Sequence, residues 1–600
     1  MISKKIFNVN FLFLRLLIIQ LLFLFLPIAK SDATSDGEVV KKINSENVFD
    51  LNEEDELWVE NTLNSMPLYD KCTQIFMPMF SGNCLDKTSK EFMFAMELVK
   101  VHGIGGFVIS TGEVEETASM INELQKNANI PLLVSGDFEH GIGMRIKAAN
   151  TFPHNMAIGS TFDYDFAYQT GKATAIEALL LGVNFNFAPV ADVNNNPRNP
   201  VINLRSFSED KNLVSEFCKS YIKGSFDGGV IATAKHFPGH GNTNIDSHNE
   251  LPVISGSKDY LMENEIKPFT DLITNGVQAI MTGHLNVPAF ESDDKLPASL
   301  SYNIITKLLK EKLGFKGLII TDALDMKAVT NNYDAGETCV KAFNAGNDIL
   351  LMPTSIRDGI TAVYNAVKSG EIKIDRLNES VRKILSAKRW LKLSKEKYES
   401  IEIPKRIRIE GHYALSKQIA ENSVTIVKAN SDLLPIDSSK YLKTFIVDIT
   451  NRKEMRDAHF SQIFHESFSV YSHSLLTSES ENSDYKLALE IAKDCDLIII
   501  PSYFYIRNGA NGRSLSEIQY NFFQEILSLN KKVVVISFEN PYLLSNFPNA
   551  ENYICTYSDS KSSQRAVLNL LNGSLNAKGM LPVSIPNTEY KVGYKWNPDS

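Results

Sequence analysis

Cysteine is sparse and unpatterned in this chain: Cys72, Cys84, Cys218, Cys339, Cys495 and Cys555 are scattered through 600 residues with no C-x-x-C spacing. Neither a zinc cluster nor a disulfide framework follows from that pattern, and only Cys72 and Cys84 lie close enough in sequence to suggest a local bridge. An excess of positive charge is also missing. Lys and Arg number 61 against 71 Asp and Glu, a net charge of −10, which repels a phosphate backbone and argues against a nucleic-acid partner. The G-x-x-x-x-G-K-[ST] loop that cradles nucleotide phosphates is absent, as are the H-x-H and H-E-x-x-H metal spacings. The sequence has no internal repeat, low-complexity tract or heptad array.

Hydrophobic residues make up 44% and charged residues 22% of the chain, the balance of a globular protein. Single cores rarely grow beyond about 250–300 residues, so two large domains are expected. At the N-terminus Lys4 and Lys5 precede an apolar stretch from Phe11 to Ala29, interrupted by Arg15 and Gln20, and a polar segment opens at Lys30-Ser31-Asp32-Ala33. That order predicts a secretory signal over residues 1–33. The alternative is an uncleaved anchor, because the stretch is almost long enough to span a bilayer. Residues 34–54 read as a linker, and the remainder is expected outside the cytoplasm, whether periplasmic, cell-surface or secreted.

From about residue 70 to 355, eight short apolar, β-branched runs recur: Gln74–Phe80, Ile104–Ser110, Pro131–Gly136, Asn184–Val193, Val230–His236, Val277–His284, Gly317–Thr321 and Asp348–Met352. Amphipathic stretches such as Glu113–Asn127, Asp165–Leu181 and Ser301–Leu313 separate several of them. Near-continuous apolar strands alternating with helices indicate a parallel sheet covered on both faces. The reading is a (β/α)8 TIM-like barrel over residues 55–390, with an open doubly wound sheet as the alternative. The Lys- and Glu-rich stretch Arg389–Arg408 marks a boundary, giving a linker over 391–420. Five further runs, Ser423–Val427, Thr444–Asp448, Asp496–Ser502, Lys531–Phe538 and Tyr553–Tyr557, predict a smaller α/β domain over 421–600.

Barrel enzymes carry their chemistry at the C-terminal ends of the strands. Here Asp137 and Glu139 follow one run, Asp192 lies near the end of another, Lys235 and His236 end a third, His284 with Asn286 a fourth, and Asp322 follows a fifth. Ionisable groups directly after apolar runs are costly unless they face a cavity or find partners. Any one of them could be a satisfied core group or helix cap; together they describe a polar pocket. The loop Lys235-His236-Phe237-Pro238-Gly239-His240-Gly241-Asn242-Thr243-Asn244-Ile245-Asp246-Ser247-His248 is too rich in Gly, Pro and Asn for a helix. Asp246 and His248 are two apart, so in extended chain they share a side, and the carboxylate favours imidazolium on its neighbour. His236, His240, Asp246 and His248 could also be metal ligands, but a Gly/Pro loop is a poor rigid template for fixed coordination.

These residues carry a specific resemblance. Asp137-Phe138-Glu139-His140-Gly141 with Arg145, the run Ala188-Pro189-Val190-Ala191-Asp192-Val193-Asn194 continuing to Arg205-Ser206-Phe207, the loop from Lys235 to His248, and Gly314-Phe315-Lys316-Gly317 through Thr321-Asp322-Ala323-Leu324 make the chain similar to glycoside hydrolase family 3. Within that family it resembles the bacterial β-N-acetylglucosaminidases, from about residue 55 to 595. The resemblance implies a catalytic barrel followed by a C-terminal α/β sandwich, pieces of which are Glu539-Asn540-Pro541-Tyr542 and Gly579-Met580-Leu581-Pro582-Val583. It implies Asp322 as nucleophile, with Asp325 the local competitor, and Asp246/His248 as the acid/base pair. Asp137, Arg205, Lys235 and His236 would bind the sugar, with Arg145 and His284 beside them. Asn242, where the loop commonly carries Asp, and His140 after Glu139 depart from the family pattern.

The activity so implied is retaining, exo-acting release of terminal β-linked N-acetylglucosamine from peptidoglycan fragments or chitooligosaccharides, with no cofactor and no metal. Alternatives are a β-glucosidase or β-xylosidase of the same family, an N-acetylglucosaminide phosphorylase, and a non-catalytic glycan-binding surface protein. The expected partner is a small carbohydrate, with no membrane partner beyond a possible N-terminal anchor.

Overall fold

The computed structural model describes residues 49–83, 86–394, 404–430, 432–453, 455, 458–504 and 515–598. The expected signal over 1–33, most of the linker over 34–54 and Cys84 lie outside the described residues. Cys72 is a buried free thiol in the barrel core. No helix among the described residues is long and apolar enough to cross a membrane.

The first half builds a parallel sheet from β1 (Phe76–Met77), β2 (Met79–Phe80), β3 (Gly106–Ile109), β4 (Leu133–Gly136), β5 (Phe185–Asn186), β6 (Ile231–Phe237), β7 (Ala279–Thr282), β8 (Leu318–Thr321) and β9 (Leu350–Leu351). Pro78 divides β1 from β2. It has no N–H to give a ladder, yet its carbonyl accepts from Val108 N at 2.8 Å, so the two pieces run as one strand with a change of neighbour. β2 pairs with β3 while β1 pairs with β9. At the other edge Thr321 N donates to Ile349 O and Ile349 N to Ile319 O, each at 3.1 Å. These bonds close the ring. With β1 and β2 counted together it has eight strands, and all eight apolar runs contribute to it. The run Asn184–Val193 is strand only at Phe185–Asn186; cis bonds at Ala188–Pro189 and an irregular path carry the rest to Asp192.

The amphipathic stretches form the outer helices Val114–Asn127, Tyr164–Leu181 and Asn303–Lys312. Tyr164–Leu181 shows why its limits fall where they do. Asp163 caps it by accepting from Asp165 N, and Gly182, with φ 97°, takes the left-handed turn that ends it. Part of the expected linker is instead the helix Glu410–Ser423. It docks on the barrel through Ile419, which joins the core, through His412 against the buried Glu177 at 2.7 Å, and through Ser416 Oγ donating to Thr151 O at 3.0 Å.

The second sheet has the order β10 (Thr425–Lys428), β15 (Tyr553–Cys555), β14 (Lys532–Ser537), β13 (Leu497–Tyr503), β11 (Thr444–Thr450), β12 (Ser472–Leu476), parallel except for β10. Alternation sets its two faces. Phe445, Val447 and Ile449 pack with Phe522, Phe523 and Ile526 on one side, whereas Ile446 packs with Phe460, Phe464 and Val567 on the other. Helices therefore cover both faces, an α/β sandwich. The polar edge strand Ser472–Leu476 is absent from the sequence reading because its residues are mostly not buried and show no apolar run.

The two sheets belong to one compact unit. Met156, Ala157 and Leu204 of the barrel join the core of the second sheet, and Asn194 Nδ2 donates to Tyr542 Oη at 2.8 Å. Glu209 accepts from Ser584 N at 2.8 Å and from Ser584 Oγ at 2.5 Å. Hydrogen bonds to a charged group are worth about 1.5–3 kcal/mol. Glu209→Ala is expected to lower the unfolding free energy by about that amount, read in urea titrations; an unchanged midpoint would show that this contact does not hold the halves together.

Candidate functional site

At the C-terminal mouth of the barrel, charges alternate along a continuous chain of contacts. Arg145 meets Asp137 at 3.4 Å, Asp137 meets Lys235 at 2.8 Å, Lys235 meets Glu139 at 2.9 Å, and Arg205 grips Glu139 at 2.7 and 3.0 Å. Four of these five residues were expected at the sugar. Glu139, noted only as a residue after a strand, proves to be the hub: its side chain is 2% exposed and wholly satisfied by two cations. Burial alone would raise its carboxyl, but Arg205 and Lys235 hold it well below the usual carboxylate range. Burial opposes charge on Lys235 too, and Asp137 and Glu139 keep its ammonium above the ordinary range. Lys235 is wrapped by these carboxylates, while Asp137 and Arg145 remain about a third exposed at the open rim.

A second buried carboxylate organises the loop after β6. Asp192 accepts from His236 Nδ1 at 2.8 Å, from His236 N at 3.2 Å and from His240 N at 2.7 Å. With Nδ1 donating, His236 Nε2 faces Arg205 at 3.5 Å. Asn199 then clamps the turn, donating to His240 O at 2.9 Å and Gly241 O at 2.7 Å while accepting from Val201 N and Ile202 N at 2.8 Å. Asn196 donates to Thr243 O at 3.1 Å. Gly241 is a close approach: a Cβ there would lie 1.7 Å from Val193 O. The Asn-rich run after Asp192 was the available sequence signal for this clamp, and the sequence reading assigned it no role.

Further along the loop, Ser247 Oγ meets the buried His240 Nε2 at 3.0 Å. Burial pushes the His240 imidazole down to about 4, so it is neutral near neutral pH. The segment is a turn rather than the expected extended chain, with Asp246 O accepting from Asn249 N at 3.0 Å and from Glu250 N at 3.2 Å; Ser247 is buried in it and His248 exposed. Asp246 accepts from His248 N at 2.9 Å and from His248 Nδ1 at 2.7 Å, leaving Nε2 of the solvent-exposed imidazole outside that bond. The Asp246 bond moves His248 above its ordinary value, burial opposes it, and the charge of Asp322 adds to the rise.

Asp322 follows β8, its N–H donating to Thr282 O at 2.9 Å and its Oδ1 accepting from Ala323 N at 2.8 Å. Burial works to raise its carboxyl, yet His236, His284, the Ala323 amide and Lys235 outweigh that and hold it below the ordinary value. Asp325 is moved the opposite way by burial and by Asp322. Of the two, Asp322 is the ionised carboxylate beside the cations, as a nucleophile requires.

His284 departs from its expected place at the sugar. It is buried, with Nδ1 against Ser299 Oγ at 2.7 Å and Nε2 against Ala323 O at 2.8 Å, so neither ring nitrogen is left for a ligand. It holds the backbone after Asp322 instead. The histidines of the loop likewise have separate partners, Asp192, Ser247 and Asp246, and among the described residues no cluster of three or more His, Cys, Asp or Glu is arranged for a metal ion. Behind Glu139, His140 and His154 pack edge to face at 4.5 Å, and burial pushes His140 down to about 3.

Comparison with known proteins matches the family model "Glycosyl hydrolase family 3 N terminal domain" to residues 68–387. The chain is 29% identical over 567 residues to "Beta-hexosaminidase A" of Pseudoalteromonas piscicida, covering 84% of this chain and 93% of that one. Among solved structures, a glycoside hydrolase family 3 β-N-acetylglucosaminidase from Paenibacillus sp. str. FPU-7 superposes with a TM-score of 0.78 at 28% identity, over 87% of this chain and 100% of that chain. The β-glucoside phosphorylase BglX gives a TM-score of 0.80 at 26% identity, over 90% and 98%.

Removing one partner of a buried ion pair costs about 3–5 kcal/mol, because the remaining charge is stranded. Glu139→Gln is expected to destabilise the fold by about that much in chemical denaturation and to raise KM; retention of wild-type stability would remove Glu139 from the centre of the network.

Proposed function

We propose that this chain, which belongs to glycosyl hydrolase family 3, is a retaining exo-β-N-acetylglucosaminidase in which Asp322 is the nucleophile and His248, paired with Asp246, is the acid/base. The observation that carries the reading is the 2.7 Å Asp246–His248 bond on the loop facing an ionised Asp322. A retaining glycosidase needs a nucleophile and a proton donor on either side of the scissile bond. Here the donor is an imidazolium whose charge is favoured by both carboxylates near it.

In the first step Asp322 Oδ attacks C1 as the C1–O bond breaks, and His248 Nε2 gives its proton to the departing oxygen. In the second, His248 takes a proton from water while that water attacks C1 and releases Asp322. Asp246 keeps the imidazole in one tautomer and orientation through both steps. His236, His284, the Ala323 amide and Lys235 keep Asp322 ionised against its burial, and the cations Arg145, Lys235 and Arg205, set against Asp137 and Glu139, leave a positive surplus that holds sugar oxygens. The apolar stretch from Phe11 to Ala29 supports action outside the cytoplasm, on peptidoglycan fragments or chitooligosaccharides.

A second reading is phosphorolysis. The likeness to the phosphorylase BglX at 26% identity supports it, and an imidazole donor leaves the acceptor side free of a second anion. Turnover of aryl β-N-acetylglucosaminide with and without phosphate separates the two, since sugar 1-phosphate forms only in the second. Faster turnover of the corresponding glucoside or xyloside would move the specificity elsewhere in the family, and absence of turnover on all of them would leave a glycan-binding protein.

Asp322→Asn is expected to abolish release of aryl N-acetylglucosaminide; wild-type rates in that variant would sink the assignment. His248→Ala should slow substrates with poor leaving groups by about 10²–10⁴-fold, with far less effect on activated ones.

The pH profile follows from the two shifts. His248 is the proton donor, so activity present below its raised value is lost as pH rises through it, whereas the lowered Asp322 sets the acid limb. Asp246→Asn removes the carboxylate that raises His248, and the alkaline limb of kcat/KM should move to lower pH with the acid limb unmoved. An unshifted alkaline limb would exclude His248 as the donor.

A further inference from the structure

Beneath the loop that carries Asp246 and His248 lies a carboxyl group with no role in the scheme above. Glu265, between the helices Lys258–Glu263 and Lys267–Thr274, is 1% exposed. Its Oε1 accepts from Asn195 Nδ2 at 2.6 Å. Its Oε2 and the Oδ1 of the same Asn195 are both buried and both without a hydrogen-bond partner.

Among the described residues no counter-charge reaches Glu265. The charged and titratable groups that act on it or face it are the Asp192 carboxylate and the Tyr260 phenol. The lysines of the two flanking helices face elsewhere, Lys258 over the Phe290 ring at 5.8 Å and Lys267 against Asp271 at 2.6 Å, and Lys211 of the neighbouring helix pairs with Glu263 at 2.7 Å.

A carboxylate can only accept, and so can an amide oxygen. An ionised Glu265 would therefore leave two acceptors stranded in a buried site, beside a second carboxylate. One proton resolves all three problems. Placed on Oε2, it makes that oxygen a donor to Asn195 Oδ1, closes a cyclic pair of hydrogen bonds between acid and amide, and removes the charge facing Asp192.

We infer that Glu265 is a neutral carboxylic acid, closed with Asn195 into an acid–amide pair, and that this pair is a positioning element for the acid/base loop. Burial, with Asp192 adding to it and the Asn195 bond opposing, moves the Glu265 carboxyl up to about 7. The route from the pair to the loop is short. Gly239, with φ +127°, lies so close that a Cβ there would be 2.8 Å from Glu265 Cβ and 3.1 Å from Glu265 O. Asn195 belongs to the same segment as Asn196 and Asn199, whose amides hold Thr243 O, His240 O and Gly241 O. Glu265 touches none of the reacting atoms; it acts through the floor on which Asp246 and His248 are mounted.

The protonation follows from the pair alone, while the positioning role rests on the function proposed above. The folded chain binds the Glu265 proton more tightly than the unfolded chain, whose glutamates titrate near 4.3. This group's contribution to stability therefore falls as pH rises from about 5 to about 7 and is level above that. Glu265→Gln reproduces both hydrogen bonds without a titrating proton, and Glu265→Ala removes both.

The test uses the full chain. Infrared difference spectra of wild type minus Glu265→Gln at pH 6 should contain a protonated-carboxyl C=O band that vanishes by pH 9, and the Tm of Glu265→Gln relative to wild type should climb between pH 5 and pH 8. In turnover, Glu265→Gln should keep the wild-type kcat at pH 6, whereas Glu265→Ala should slow poor leaving groups at least about tenfold more than activated ones, with KM unchanged. Absence of the band together with parallel Tm curves would overturn the inference even in an active enzyme. A band and diverging Tm curves in a protein that turns over no glycoside would leave the pair standing and reject the proposed function. Equal slowing of good and poor leaving groups in Glu265→Ala would reject the positioning role.

Discussion

A carboxylate sealed in a protein mouth survives as an anion only when cations reach it, and the Glu139 side chain meets that condition through Arg205 and Lys235. Much else at the site is arranged by the same condition. Lys235 comes from β6, Glu139 from the segment after β4 and Arg205 from the short turn Asn203–Arg205, so satisfying one charge ties three separate parts of the barrel rim together. The charges left over, Asp137 and Arg145, lie on the open side, each about a third exposed. Asp322 is ionised despite its burial, held so by His236, His284, the Ala323 amide and Lys235 of this arrangement.

Asp192 does for the loop what Glu139 does for the rim. It ties down the backbone amide and imidazole of His236 at the end of β6 and the amide of His240 in the segment after it, and the Asn-rich stretch that follows Asp192 supplies amides for the carbonyls of the same loop. A loop of this length and glycine content would otherwise sample many conformations. Fixed at both polar sides, it delivers Ser247 inward to His240, and the turn closed on Asp246 O leaves His248 exposed beside Asp246. The turn that carries Asp246 and His248 is thus anchored through Ser247 at His240, a histidine that burial keeps neutral.

Much of this was legible along the chain, for physical reasons that hold locally. Strands buried on both faces must be apolar, so all eight runs stood out, and ionisable groups at their ends marked the mouth. Their spacing of two suggested that Asp246 and His248 would meet in extended chain; they meet instead in a turn, whose backbone bonds run from Asn249 N and Glu250 N to Asp246 O. Other features had no local signature. The edge strand Ser472–Leu476 is polar, the helix Glu410–Ser423 hides in a stretch that reads as linker, and His284 has the same sequence context as a ligand-binding histidine although both its nitrogens are consumed by Ser299 and Ala323.

By itself, then, the sequence determined the order of elements, the end of the barrel at which ionisable residues gather and their types, because burial patterns and turn chemistry are written in near neighbours. Only the tertiary structure decided which charge neutralises which. Glu139 and Arg205 are 66 residues apart and Glu265 and Asn195 70 apart, and the protonation state of each acid depends on what ring closure and loop packing bring against it. Partner and solvent access set the charge of a buried carboxyl, and both are properties of the folded chain alone.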